Sequence, residues 1–255
     1  MPEGDTVWNA ALRLRGALAG RVLTRSDFRV PRFATTDLTG QSVTEVISRG
    51  KHLLIRTDKG LTMHTHLSME GTWRVRPAAE RLRESHRIRL VLANDQWQAI
   101  GHQLGTVEVM PTAEEERVVG HLGPDLLGPD WDQAEAVRRL RADPARPAGE
   151  ALLDQRNLAG IGNVYKSEVL FLRGIRPSRP IGEIEDLDAV VSLARRMLDA
   201  NKTRLDRVTT GVRGRGQQTW VYGRRGQPCP RCGTPIRWAD QGDRITYWCP
   251  SCQPA

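Results

Sequence analysis

All four cysteines of this 255-residue chain fall in its last 27 residues, as the pairs Cys229/Cys232 and Cys249/Cys252 with sixteen residues between the pairs. Each Cys-x2-Cys knuckle turns two sulfurs toward one point, and two knuckles at this separation match a tetrahedral four-thiolate zinc site. Four thiolates leave no open position for a water nucleophile, so the single Zn2+ expected here is structural. It would hold rigid the hairpin "GTPIRWADQGDRITYW", which is too short to be stable alone. Two disulfides are the competing reading, and they need an oxidising compartment. The first residues carry acidic Glu3 and Asp5 rather than a basic region followed by an apolar one, so no export signal is read there. No run approaches eighteen apolar residues, and a cytoplasmic, nucleoid-associated protein without a membrane span is expected.

The charge narrows the partners. The net charge is +8, and lysine occurs only at 51, 59, 166 and 202, so the excess is carried by arginine. Planar guanidinium groups suit phosphate oxygens, which makes a polyanion the natural partner, nucleic acid first and an acidic membrane surface second. A genome that writes arginine for lysine accounts for the ratio of the two, but not for the net excess.

Periodicity divides the chain. Val7, Trp8, Ala11, Leu12 and Leu18 recur near a helical period, and Gly20 stands where such a helix would stop. Pro2, just ahead, is ordinary for a helix start, because its ring fixes φ and it lacks a donor. From "SVTEVISRGKHLLIRT" to "TVEVM" the runs are short and β-rich, with turns at "DKG" and "ND". Four helical segments follow: "DWDQAEAVRRLRAD", "GEALLDQR", "NVYKSEVLFLRG" and "EDLDAVVSLARRMLDANKTR". The expected fold class is α+β, with an N-terminal helix plus β-sandwich over 2–112, a helical domain over 120–202, a mobile basic loop over 203–228 and a β-hairpin zinc finger over 229–255. His64 and His66 alternate on one strand face but lack a third ligand, and read as ordinary strand residues; Asp240 and Asp243 read as solvated turn residues.

The segment "LLDQRNLAGIGNVYKSEVLFLRGIRP" resembles the helix-two-turn-helix signature of the Fpg/Nei DNA glycosylases, and the cysteine knuckles fall where that family places its zinc finger. The resemblance continues in "SRGKHLL", "HLSMEG" and the opening "PEGD", so that it spans nearly the whole chain in order; "PEG" is similar to the endonuclease VIII branch. It implies a bifunctional DNA glycosylase and AP lyase of base excision repair, acting as a monomer on damaged DNA. Oxidised bases would be removed, pyrimidines favoured, through an N-terminal proline Schiff base, with the strand cut by β,δ-elimination. A formamidopyrimidine or 8-oxoguanine type of glycosylase is one alternative; a non-catalytic zinc-finger DNA-binding protein on the same scaffold is another.

By the same resemblance Pro2, freed by removal of Met1, is the nucleophile. A terminal amine titrates near 7.7–8.0 in model peptides, far below lysine, so part of it is unprotonated at neutral pH. Glu3 is carried over as the acid that opens the sugar. Lys51 matches the lysine that contacts phosphate and assists elimination; without the motif it reads as a solvated hairpin lysine. Asn163, in "GIGN" before a helix, matches a phosphate ligand, although a helix-capping Asn would look the same. Arg244 matches the arginine credited with phosphate binding and δ-elimination, and Met69 the apolar wedge that fills the gap left by an extruded nucleotide. Met69 could equally be a hairpin residue facing the core.

Three departures from the pattern bear on lesion choice rather than on the lyase chemistry. The second wedge position reads "HQLG", where Leu104 is a weak substitute for an arginine-phenylalanine pair. Asp5 and Thr6 remove a second glutamate from the N-terminus, and Lys166 stands where many relatives have a small residue.

Overall fold

The structure is a computed structural model that describes residues 2–204 and 206–254. It divides into two compact units after His121.

The first unit is a β-sandwich with a helix in its core. Helix α1 (Gly4–Leu18) buries the stripe Val7, Ala11, Leu14 and Leu18, one side chain per turn on one face. Strands β1 (Arg25–Phe28), β2 (Val43–Arg49), β3 (His52–Thr57), β4 (Leu61–His66), β5 (Thr72–Pro77), β6 (Ile88–Ala93), β7 (Trp97–His102) and β8 (Thr106–Pro111) form two antiparallel four-stranded sheets, ordered β1-β6-β7-β5 and β2-β3-β4-β8. The stripe on α1 packs with Leu53, Ile55 and Met63 of one sheet and Trp73, Leu90, Leu92 and Ala99 of the other. Each fully buried Leu here contributes about 1.5–3 kcal/mol of transfer free energy.

Two connections are fixed, one by turn chemistry and the other by strand order. Thr57 to Gly60 form the "DKG" turn, closed by the Gly60 N–H on the Thr57 carbonyl, and Gly60 takes φ 71°, a value that side-chain-bearing residues avoid. Strands β5 and β6 are parallel, separated by β7, so residues 78–87 must cross back over the outer face of their sheet. After β8 a short helix α2 (Glu116–Val119) is tied down by Glu115, which accepts from Arg56 at 2.8 and 2.6 Å and from Thr62 at 2.5 Å.

The second unit is built on α5 (Asn163–Leu172), which α3 (Gln133–Leu140), α4 (Ala148–Leu153) and α6 (Leu187–Asn201) surround. Its apolar core includes Leu140, Leu152, Tyr165, Val169, Val190 and Leu198. Capping fits the sequence: Asp132 accepts from the Glu135 N–H and Asp186 from the Ala189 N–H, each at a helix N-terminus. The C-terminal hairpin pairs β9 (Arg237–Gln241) with β10 (Arg244–Trp248) around Gly242 and Asp243. No helix among the described residues is long and apolar enough to cross a membrane. The fold class expected from the sequence is the one observed.

Candidate active site and DNA-contact residues

Helix α1 sets the position of the first two candidate residues. Glu3 is its N-cap, extended at φ −123° and ψ −174°, and its carbonyl takes the N–H groups of Thr6 and Val7 at 3.0 and 3.1 Å. Its side chain makes no capping bond and is fully buried, with half-buried Pro2 directly ahead. Asp5, also buried, accepts from the Thr6 N–H at 2.7 Å in the first turn, where the helix dipole favours negative charge.

The far end of α1 shows which way it points. Gly20 and Arg21, just past the helix, exchange backbone bonds with Val43 at the start of β2, while Arg15 Nε donates to the Val46 carbonyl midway along that strand. Helix and strand therefore run antiparallel, and the Pro2 end of α1 lies toward the Arg49 end of β2. Asn94 gives the same answer from the other sheet: its amide donates to the Ala17 carbonyl at 2.8 Å from the β6–β7 turn, the end of the sandwich opposite His102.

Lys51 stands at the Pro2 end of the sandwich. It occupies the two-residue turn between β2 and β3, closed by the pair Arg49 and His52, and Gly50 takes the positive φ of 57° that the first central position of a type II′ turn requires. The sequence expected it at a strand end; it lies one residue beyond, half-buried in the turn.

Register gathers histidines beside it. His52 opposes His66, and His64 opposes Glu108, all on the outer face of that sheet. His52 Nδ1 and His64 Nε2 share a hydrogen bond of 2.9 Å, His64 Nδ1 lies 3.2 Å from Glu108 Oε2, and the rings of His66 and His121 abut His52 at centroid distances of 5.2 and 6.1 Å. The expectation of two ordinary strand histidines thus missed the two partners that the fold supplies. Burial, then the neighbouring imidazoles and the Lys51 ammonium, push His52 down to about 3, and burial lowers His64 and His66 as well.

A depressed histidine contributes stability that is fully present above the unfolded value of 6.5 and is lost as pH falls toward about 3. His52 alone should cost the folded state about 2 kcal/mol at pH 5 relative to pH 8. Denaturant melts of wild type and His52→Gln across that range check this: the variant should show a shallower loss on acidification, and parallel curves would contradict the assignment.

The β4–β5 and β7–β8 loops share this end of the sandwich. Met69 is 60% exposed, so the reading that turned it toward the core does not hold. Its loop is held from both sides: Ser68 takes φ 56°, the Gly105 N–H donates to the His66 carbonyl, and Gln103 donates to the Glu70 carboxylate at 2.6 Å. A Cβ on Gly105 would sit 1.9 Å from Ser68 Oγ, so the close approach of the two loops requires glycine there. Leu104, the weak substitute at the second wedge position, is only 6% exposed and packs in the core against Trp73 and Gly101, because a leucine following left-handed Gln103 turns inward, away from the surface a wedge needs.

In the second unit, α5 is buried on every side along Asn163–Phe171, so each polar residue on it must find a partner. Ser167 donates back to the Asn163 carbonyl, and Lys166 Nζ donates to Thr246 Oγ1 of β10 at 2.5 Å. Asn163 donates through Nδ2 to the Ile245 carbonyl at 2.7 Å and keeps a buried Oδ1 without a partner. That bond ties it to the residue next to Arg244, which is exposed at the hairpin turn. Gln241 belongs to the same dock, donating to the Pro177 carbonyl; a Cβ on Gly149 would strike its Oε1 at 2.2 Å.

Glu168 was not legible as a special residue. Its buried carboxylate accepts the N–H groups of Trp220, Val221 and Tyr222 at 2.7–2.9 Å and the Thr209 hydroxyl, which pins Thr209 and Trp220–Tyr222, from the segment expected as a mobile loop, to α5; residue 205 lies outside the described residues. Burial pushes this carboxyl up, and the four donors offset only part of that rise. Arg225 stacks 3.8 Å over Trp238, while Tyr247 packs with Phe171, Val221 and Ile236. Of the three hairpin aromatics, Trp238 is presented at the surface, Tyr247 joins the finger's small core, and Trp248 is half-buried with Arg176 over its ring. Asp240 and Asp243 are both exposed as expected, but only Asp243 is a turn residue; Asp240 lies within β9, opposite Ile245.

The cysteine set fits a metal. All four Sγ atoms lie within 4.8 Å of one another, with Cys229 to Cys252 at 4.0 Å and Cys232 to Cys249 at 3.4 Å. Tetrahedral Zn–S bonds of about 2.3 Å need sulfurs roughly 3.8 Å apart.

Three family descriptions match the chain in order: the formamidopyrimidine-DNA glycosylase N-terminal domain over residues 1–103, the formamidopyrimidine-DNA glycosylase H2TH domain over 122–202, and the zinc finger found in FPG and IleRS over 226–255. The chain belongs to the Fpg/Nei family of DNA glycosylases, and its four cysteines form the zinc-finger site of that family. Within the family it is similar to the probable endonuclease 8 2 of Streptomyces coelicolor, 58% identical over 261 residues that cover 99% of this chain and 94% of the relative. It is likewise similar to the DNA-(apurinic or apyrimidinic site) lyase Nei2 of Mycolicibacterium smegmatis, 52% identical over the whole of both chains. Among solved structures, the Lactococcus lactis formamidopyrimidine-DNA glycosylase bound non-covalently to DNA containing an AP site superposes with a TM-score of 0.82 at 26% identity, covering 99% of this chain and 100% of that one.

Proposed function

We propose that this chain is a Nei2-type glycosylase and AP lyase of base excision repair that excises oxidised bases, pyrimidines favoured, from DNA. The observation that carries the reading is the pairing of Pro2 with a fully buried Glu3 at the N-cap of α1, at the end of the sandwich that also holds Lys51 and exposed Met69. The Pro2 nitrogen attacks C1′ of the extruded nucleotide as the base departs, and Glu3 gives a proton to the ring oxygen, leaving a C1′ iminium. The iminium draws electrons from the C2′–H bond; loss of that proton expels the 3′ phosphate, with Lys51 on the phosphate. A second elimination expels the 5′ phosphate, for which Arg244 is the assigned residue. Asn163 and Arg244, tied through Ile245, would grip the backbone, and such grip should weaken steeply with salt.

Pyrimidine preference over the 8-oxoguanine reading is what the resemblance to the endonuclease VIII branch implies, and buried Leu104 departs from the arginine-phenylalanine wedge of the formamidopyrimidine branch. A panel of duplexes carrying thymine glycol, 5-hydroxyuracil, 8-oxoguanine or an abasic site tests this, with borohydride trapping of the adduct. Fastest release of 8-oxoguanine would reverse the preference, and no trapped adduct on any duplex would support a non-catalytic binder instead.

Met69→Ala should leave stability within about 0.5 kcal/mol, since the side chain is 60% exposed. Base release from duplex should nonetheless fall about tenfold or more, and less from single strands, where there is no gap to fill. Equal losses on both substrates would remove Met69 from the wedge role.

A further inference from the structure

The crossover that joins β5 to β6 closes a pocket the lyase chemistry does not use. Arg74 and Arg76 of β5 and Gln98 and His102 of β7 stand on the outer face of their sheet, by the register Thr72 to His102, Arg74 to Ile100 and Arg76 to Gln98. Residues 78–87 run back over this face. Leu82 packs on Ile88, Val91 and Ile100, while Gln98 donates to the Glu80 carbonyl at 2.5 Å and Arg29 reaches Glu84 at 2.6 Å. The crossover is thus fastened at three points, and it brings Arg81 and Arg83 over Arg74 and Arg76 around a pocket of about 140 Å³.

The charges in this pocket are unbalanced. Arg76 has Glu80 at 3.7 Å, but among the described residues Arg74, Arg81 and Arg83 have no carboxylate within ion-pair distance, and Glu84 is taken by Arg29. His102 lines the same pocket and keeps a buried Nδ1 with no hydrogen-bond partner. Like charges drawn together repel. An anion relieves that repulsion. Four guanidinium forks exceed what two carboxylate oxygens can accept, but they suit a phosphate with its several oxygens and greater charge. The volume equals that of about five waters, at roughly 30 Å³ each, enough for one phosphate group.

We propose that this crossover pocket, lined by Arg74, Arg76, Arg81, Arg83 and His102, is a phosphate-binding site separate from the Pro2 centre, taking either a backbone phosphate of flanking DNA or a free phosphoanion. It stands independently of the lyase reading.

The test compares full-length wild type with Arg81→Ala/Arg83→Ala, both exposed crossover residues, and with Arg13→Ala/Lys59→Ala, which removes the same charge from exposed positions elsewhere on the unit. Calorimetry with pyrophosphate should show binding that the crossover variant loses by at least tenfold and the control variant keeps. Salt titrations on undamaged duplexes of about 12 and about 40 bp then separate the sources, since each neutralised phosphate contributes about 0.9 to the slope. A slope on the long duplex lower by about 1–2 in the crossover variant alone assigns the site to flanking DNA; unchanged slopes assign it to a free phosphoanion. Wild type that does not bind pyrophosphate, or equal loss in both variants, overturns the proposal. Arg74→Gln, on the strand rather than the crossover, should weaken pyrophosphate in the same way and guards against a crossover that has merely rearranged.

Discussion

A chain that keeps Met1 is expected to yield no borohydride-trapped adduct with an abasic duplex, and to nick it at least about 10³-fold more slowly than the processed chain. In the retained form the Pro2 nitrogen is a tertiary amide without a usable lone pair, so no iminium forms and the C2′ proton is never acidified. Duplex affinity should change by no more than a few fold, because phosphate grip is assigned to Lys51, Asn163 and Arg244 rather than to the amine. Intact mass of the purified protein, read beside trapping and nicking rates, makes the comparison. Glu3→Gln supplies the matching case on the acid side: its amine remains, and base release should slow about 10²- to 10⁴-fold. Full-speed nicking by unprocessed protein would end the amine mechanism for this chain.

Removal of zinc has the other large effect expected. Structural zinc in small fingers supplies apparent binding free energies of about 10–16 kcal/mol, and here it joins the ends of a hairpin too short to persist alone. Chelation, or Cys249→Ala at a fully buried ligand, should therefore unfold residues 226–254 and lower the thermal midpoint of the second unit. The damage would reach α5. Lys166 would lose Thr246 and Asn163 would lose the Ile245 carbonyl, leaving buried polar groups on a helix that is closed on every side. Hydrogen exchange followed with zinc release reads this directly: amides of 237–248 should lose protection together with metal loss, while those of β3 and β4 keep theirs. Protection of the hairpin that survives complete metal loss would show that the finger is held by its dock on α5 alone.

What could be read from the residues in advance was local or strictly periodic. The spacing of Val7, Trp8, Ala11, Leu12 and Leu18 marks α1, although Leu12 is exposed and Leu14 completes the buried stripe; the "DKG" and "ND" turns mark their hairpins, and the two cysteine knuckles carry the metal site in their intervals. What was hidden depends on pairing between distant segments. His52 gains its meaning only from a register that sets it opposite His66 and against His64, and no interval in the chain encodes that. Leu104 reads as a loop residue in "HQLG", yet the left-handed backbone at Gln103 turns it into the core. Glu168 sits in a helix of ordinary pattern, and its donors come from more than fifty residues away at Trp220 to Tyr222. Residues 206–228 have neither helix nor strand period because their order comes from scattered contacts, the Glu168 carboxylate, the Asn201 side chain and the packing of Val221 on Phe171, rather than from a periodic face.

Helix α1 is clamped at its tail, where Asn94 and Arg21 hold the carbonyls of its last turn, and carries its two chemical residues at its head about 22 Å away. With Val7, Ala11 and Leu14 seated between the two sheets the helix moves as one rigid rod, so a change at residue 94 or 21 that shifts its tail would carry the proposed attacking nitrogen with it and should surface as poor turnover in a protein that melts almost normally.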